Sequence, residues 1–216
     1  MVTRHGYIHR YIWFVAGILI NSFGIAVITR AALGTSPISS TPYVLSLRFQ
    51  PSLGQFTFAM NTLFILMQAV LLRREFKPVQ CLQILVNVVF SVFIDISMSL
   101  LSWLQTDSLA VQVPVLVLGC AVLAFGISIE VAPDVLVVPG EGIVKAIARV
   151  SHKKFGTVKV AFDVTLTSAA LLLSFLFFHR LRGLGIGTII SAVIVGKLVG
   201  ICNKRLPLIA HIAAIR

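Results

Sequence analysis

A chain of 216 residues that is 58% hydrophobic and only 12% charged has too little polar surface to cover a soluble globule, so composition assigns it to a bilayer. A net charge of +11 would suit nucleic acid only if a soluble module carried a basic face interleaved with aromatics. Here the bases sit at the ends of apolar runs, where topology and anionic lipid account for them, and no nucleic-acid partner is expected.

Taken in chain order, the apolar runs 11–29, 53–72, 81–104, 111–129 and 155–178 approach or exceed the roughly 20 residues that cross about 30 Å of hydrocarbon. A sixth, 184–202, is glycine-rich. They predict an all-α membrane protein with six transmembrane helices in one domain, 1–216. The first run is read as a retained helix, because it is long and no small-residue cleavage site precedes Arg30. Placing the N-terminus inside puts twelve lysines and arginines on inner segments, Lys77 and Arg216 among them, against Arg30, Arg48, Arg180 and Arg182 outside. The positive-inside rule then sets both termini in the cytoplasm, and the loop 105–110, with Asp107 and no base, agrees.

Cys81, Cys120 and Cys202 suggest no disulfide framework, and the five histidines fall outside the spans without ligand spacing, so neither a metal nor another cofactor is expected. No GxSxG, HExxH, Walker loop or dinucleotide fingerprint occurs, and no enzyme is expected.

Sliding the chain against itself by 102 residues aligns 17–71 with 119–173 without gaps. Gly17 meets Gly119, "FGI" at 23–25 meets "FGI" at 125–127, Pro37 meets Pro139, Gly54 meets Gly156, Ala59 meets Ala161 and Leu71 meets Leu173. Most identities are glycine and proline, whose backbone demands are positional. Three crossings per half is an odd number, so the halves, about 11–104 and 111–202, are expected as inverted repeats around a midplane site. "ITRAALGTSPISSTPYVLSLRF" and "VAPDVLVVPGEGIVKAIARV" then fall on opposite membrane sides. Each joins a proline-marked break to a short run expected to turn helical, 43–48 and 143–150, in a re-entrant connector lining a cavity.

Several side chains carry two readings each. Glu141 in "PGEG" offers a carboxylate beside glycine N–H groups at a helix start, or simply caps that helix; "GTSP" supplies Thr35 and Ser36 in its place in the first half. Asp163, about two turns inside the fifth helix, needs a partner or a wet cavity, and Lys159 four residues earlier supplies the structural alternative. Asn61, with Thr57 and Gln68, makes the matching stripe on the second helix, where such groups also tie neighbouring helices. Asp95 and Lys197 read as coupling groups or as a buried pair related by the repeat, and Lys197 also lies where a lysine can snorkel. Glu130 and Asp134 read as interfacial. Gly17, Gly24, Gly119, Gly126, Gly196 and Gly200 read as close helix contacts.

The order "FGIAVITRAALGTSP", "VPGEGI", "FGTVKVAFDVT" and "GLGIGTIISAVIVG" resembles the bacterial YczE/YyaS/YitT membrane proteins over nearly the whole chain, although Ser91 stands in "FSVFID" where a glycine is expected. The resemblance implies a bacterial cytoplasmic-membrane protein and no settled substrate. Two functions are expected from these features. One is a secondary transporter or facilitator of a small solute, with Thr35, Ser36, Asn61, Glu141 and Asp163 on the cavity. The other is a non-transporting membrane partner, an assembly factor or substrate-binding subunit whose loops "RREFK" and "KAIARVSHKK" dock another protein; a homo-oligomer is also left open.

Overall fold

A computed structural model describes residues 4–76, 78–104 and 108–215, with side chains from residue 8 onward. Lys77, Arg216, the side chains of Arg4 and His5, and the 105–107 part of the acidic loop lie outside the described residues. Everything regular in the described residues is helical: α1 Arg4–Arg30, α2 Pro37–Ser46, α3 Leu53–Leu72, α4 Gln83–Leu100, α5 Leu109–Val131, α6 Pro139–Val150, α7 Phe155–Phe178, α8 Ile186–Arg205 and α9 Pro207–Ala214. Short 3₁₀ turns at Arg73–Glu75 and Pro78–Leu82 link α3 to α4.

Among the described residues, six segments are long and apolar enough to cross a bilayer: Ile8–Arg30, Leu53–Glu75, Pro78–Leu100, Leu109–Val131, Phe155–Phe178 and Ile186–Arg205. The protein is therefore a multi-pass membrane protein of all-α class, and the spans fall within a few residues of the hydropathy runs. Local signals set the boundaries. Ser52 and Gln55 form a reciprocal capping box at the start of α3, and His179 closes α7 in a left-handed conformation, φ 52°.

The centre is the antiparallel pair α1 and α5. These helices approach so closely that a Cβ on Gly24 would stand 2.6 Å from the Leu123 backbone, and one on Gly126 2.5 Å from the Asn21 nitrogen. Gly17 presses on Glu130 and Gly119 on Ile28 in the same way. Around this crossing Phe14, Ile18 and Ile28 bury against Leu116, Cys120 and Leu123. Helix α4 packs on α1, α8 packs on α5, and α3 packs on α4. The unforeseen α9 starts at Pro207 and seals one end, with Ile209 and Ile212 against Ile129 and Trp13.

Helices α2 and α6 do not cross. Their 10 and 12 residues extend about 15 and 18 Å. Their N-terminal ends meet inside the bundle, where Ile38 occupies the space in front of Gly140. Their C-terminal ends point apart: Tyr43 and Leu47 reach Gly183 in the α7–α8 connection, whereas Arg149 pairs with Glu75 beyond the end of α3 at 2.7 Å. The connections cross between halves, because α2 packs on α7, with Thr41 Oγ1 donating to the Leu166 carbonyl at 3.0 Å, and α3 packs on α6.

The sequence reading placed the first connector helix at 43–48; it begins six residues earlier and ends at Ser46. Pro37 is not a break before the helix but its first residue, a position that needs no N–H and favours proline's fixed φ. Pro139 plays the same part in α6, so that helix also starts earlier than expected.

Candidate functional site

A group of mutually interacting ionisable side chains forms where the end of α5, the start of α6 and the first turns of α7 converge. Glu130 is in the last turn of α5, yet only 1% of it is exposed. Asn21 Nδ2 on α1 donates to its Oε2 at 2.8 Å, and the Val138 backbone is a further hydrogen-bond partner of the carboxyl. The sequence reading set Glu130 aside as interfacial, because it lies close to a helix end. That end is instead covered by α1 and by the stretch leading into α6. A signal was present: Glu130 follows Gly126 by four residues, on the face already marked by glycine for close contact.

Glu141 lies in the first turn of α6, within electrostatic reach of Glu130, Lys145, Lys159 and Asp163. Lys159 Nζ donates to Asp163 Oδ1 at 2.8 Å, and their side chains are 30% and 22% exposed. The expected i, i+4 pair is therefore formed. The pair also lies within electrostatic reach of Glu141. Three carboxyls and two ammonium groups share this region, which would be costly to isolate in hydrocarbon, at about 2.5–3.5 kcal/mol for each unpaired charge near a span's centre.

The other candidates are placed differently. Thr35 bonds Thr29 through their hydroxyls at 2.8 Å and donates its backbone N–H to Thr188 Oγ1 at 3.2 Å, so it fastens α1, α2 and α8. Ser36 Oγ donates to Ser39 Oγ at 3.0 Å at the start of α2. Asn61 donates to Asn87 Oδ1 at 3.0 Å between α3 and α4, and Gln68 reaches Gln83 and the Pro139 carbonyl. These amides tie helices together, and the structure does not bring Asn61 to Glu141 or Asp163 by any hydrogen bond.

Asp95 and Lys197 do not pair as the repeat suggested. Asp95 accepts from Ser52 Oγ at 2.5 Å and from the Gly54 amide at 2.8 Å, fixing the start of α3 on α4. Lys197 is exposed on α8. The glycine reading also divides: Gly17, Gly24, Gly119 and Gly126 are contact glycines, but nothing lies within 4 Å of a Cβ built on Gly196 or Gly200.

No curated protein and no solved structure matches the chain. One family model does, over residues 8–204, and that span of more than half the chain carries the conclusion that the protein belongs to DUF6198, a family of unknown function.

Proposed function

We propose that this protein is a secondary transporter or facilitator of a small solute, built from two inverted repeats, α1–α4 and α5–α8, in the bacterial cytoplasmic membrane with both termini inside. The observation that carries the reading is the pair of short helices that enter from opposite ends and meet near Ile38 and Gly140. Discontinuous helices meeting at depth are a recurring way for transporters to build a site, since irregular backbone there must line protein or a cavity.

The repeat draws further support from register. Helices α2 and α6 start at Pro37 and Pro139, and α3 and α7 start at Leu53 and Phe155, each pair 102 residues apart. Ala32 and Asp134, at the same offset, both adopt left-handed backbone, φ 59° and 49°. The likeness to the YczE/YyaS/YitT proteins fits this plan. In it Glu141 faces the solute on one approach, with the Lys159–Asp163 pair at the rim of that group, and Thr35 and Ser36 line the other.

The test is flux in proteoliposomes, with candidate solutes first selected by thermal stabilisation of the purified protein. Glu141→Gln is expected to fold and to lower flux by about tenfold or more, as loss of a group that binds the passing solute would. Full flux in this variant removes the carboxyl from the mechanism. A protein that binds a solute and moves none supports the second reading, a non-transporting membrane partner. That reading rests on the exposed bases Arg73, Arg74, Lys153 and Lys154 flanking the Glu75–Arg149 pair.

A further inference from the structure

Among the described glycines, Gly156, Gly196 and Gly200 have open space where a side chain would stand, and all three lie on α7 and α8. Ala192, Gly196 and Gly200 are exposed and recur every four residues, so they form one strip of α8. Such a strip lets a second helix approach closely within a membrane, where small residues replace the hydrophobic effect as the basis of contact.

Beside the strip stands Lys197. It is eight residues short of Arg205, so it lies about 12 Å along the helix from that end. It is exposed, and among the described residues no ion pair engages it. A snorkelling stem covers only part of that distance, so an anion is wanted at this depth. Asp163 lies eight residues from Phe155, the start of α7 at the same end of the bundle, again about 12 Å in. Its side chain is partly exposed at the edge of the open face that carries Val160 and Val164. A carboxylate that accepts one bond from Lys159 retains lone pairs for a second cation.

Within one chain these two groups do not meet. The first half closes its outer seam with the amide ties between α3 and α4, but α7 and α8 make no comparable contact, although α2 packs against both. We infer that a second copy of this chain closes the seam: α8 lies against α7 of the partner around a two-fold axis along the membrane normal, pairing Lys197 with Asp163 of the partner subunit twice. An axis in that direction keeps equal depths opposite one another, and antiparallel α7 and α8 make the surface self-complementary. Packing α8 on its own copy would instead set two Lys197 side chains together. The inference rests on the membrane reading and not on transport, and its readout is mass.

The full-length protein in mild detergent and in lipid nanodiscs is expected to be a dimer by light scattering. Gly196→Leu should weaken the dimer by about tenfold or more and leave the monomer's thermal midpoint unchanged, since a Cβ at this exposed position has nothing within 4 Å. Lys197→Asp should weaken it likewise, and adding Asp163→Lys should restore association. With Cys81 and Cys202 replaced by serine, co-expressed Lys197→Cys and Asp163→Cys chains should give a mixed disulfide of dimer mass. A monomer at all concentrations, a dimer indifferent to Gly196→Leu, a cross-link between two Lys197→Cys chains, or a different protein bound in fixed ratio on α8 would each overturn the proposal.

Discussion

Replacing Gly126 with leucine is expected to eliminate folded protein, or to lower its stability by about 3 kcal/mol or more. Overpacking a tight interior usually costs about 1–3 kcal/mol, and the cost rises when the obstacle is backbone that cannot rotate away. Here the first added carbon would stand 2.5 Å from the Asn21 nitrogen and 2.9 Å from its Cα, so α1 and α5 must separate. Helices α4 and α8 lean on that pair directly, α3 leans on it through α4, and α7 reaches it through α2 and α8. Gel filtration and the thermal midpoint of the variant check the expectation. Gly156→Leu is the internal control, because a Cβ there has nothing within 4 Å and the position lies away from the α8 strip. If both variants behave like the unmodified protein, the α1–α5 crossing is not the centre of the fold.

The second large effect concerns Glu130. Truncation to alanine is expected to cost about 3 kcal/mol. Roughly 1–3 kcal/mol of this comes from leaving the buried Asn21 amide without an acceptor, and the rest from the space left by the removed side chain. Glu130→Gln keeps an oxygen within reach of Asn21 and should fall between the alanine variant and the unmodified protein. The order of the three thermal midpoints is the measurement. An alanine variant as stable as the unmodified protein would mean that the carboxyl contributes nothing to joining α1 and α5.

The spans were legible in the sequence because the bilayer fixes their length and apolarity, a constraint that acts on each helix separately. The α1–α5 glycines were legible for a similar reason: spacing of residues without side chains reports close approach whatever the partner is. What escaped was position relative to other elements. Pro37 reads as a break in a linear pattern, and only a helix that begins within the bundle makes it a first residue. Glu130 reads as interfacial by its distance from a helix end, which says nothing of what covers that end. Asn61 and Asp163 occupy matching places in the two halves, yet one bonds across to Asn87 and the other along its own helix to Lys159. Their difference comes from the neighbouring span, close in one half and apart in the other. The pairing expected for Asp95 and Lys197 failed for the same reason, since Asp95 is already satisfied by Ser52 and Gly54.

The glycines that touch nothing were equally opaque. Gly24 and Gly196 are both small residues in apolar helices, and sequence gives each the same contact reading. One faces Leu123 across the central crossing and the other faces outward from α8. The distinction separates what the single chain must do to fold from what its outer surface offers to a second copy.

The most direct test of the architecture is the sidedness of the two short helices at their outer ends. In a background with Cys81 and Cys202 replaced by serine and Cys120 left buried, Gln50→Cys follows α2 and Lys153→Cys follows α6, and both positions are exposed. Labelling intact cells with an impermeant maleimide should modify Gln50→Cys alone, and labelling inverted membrane vesicles should modify Lys153→Cys alone. Modification of both from one side would contradict two units of opposite orientation meeting at Ile38 and Gly140.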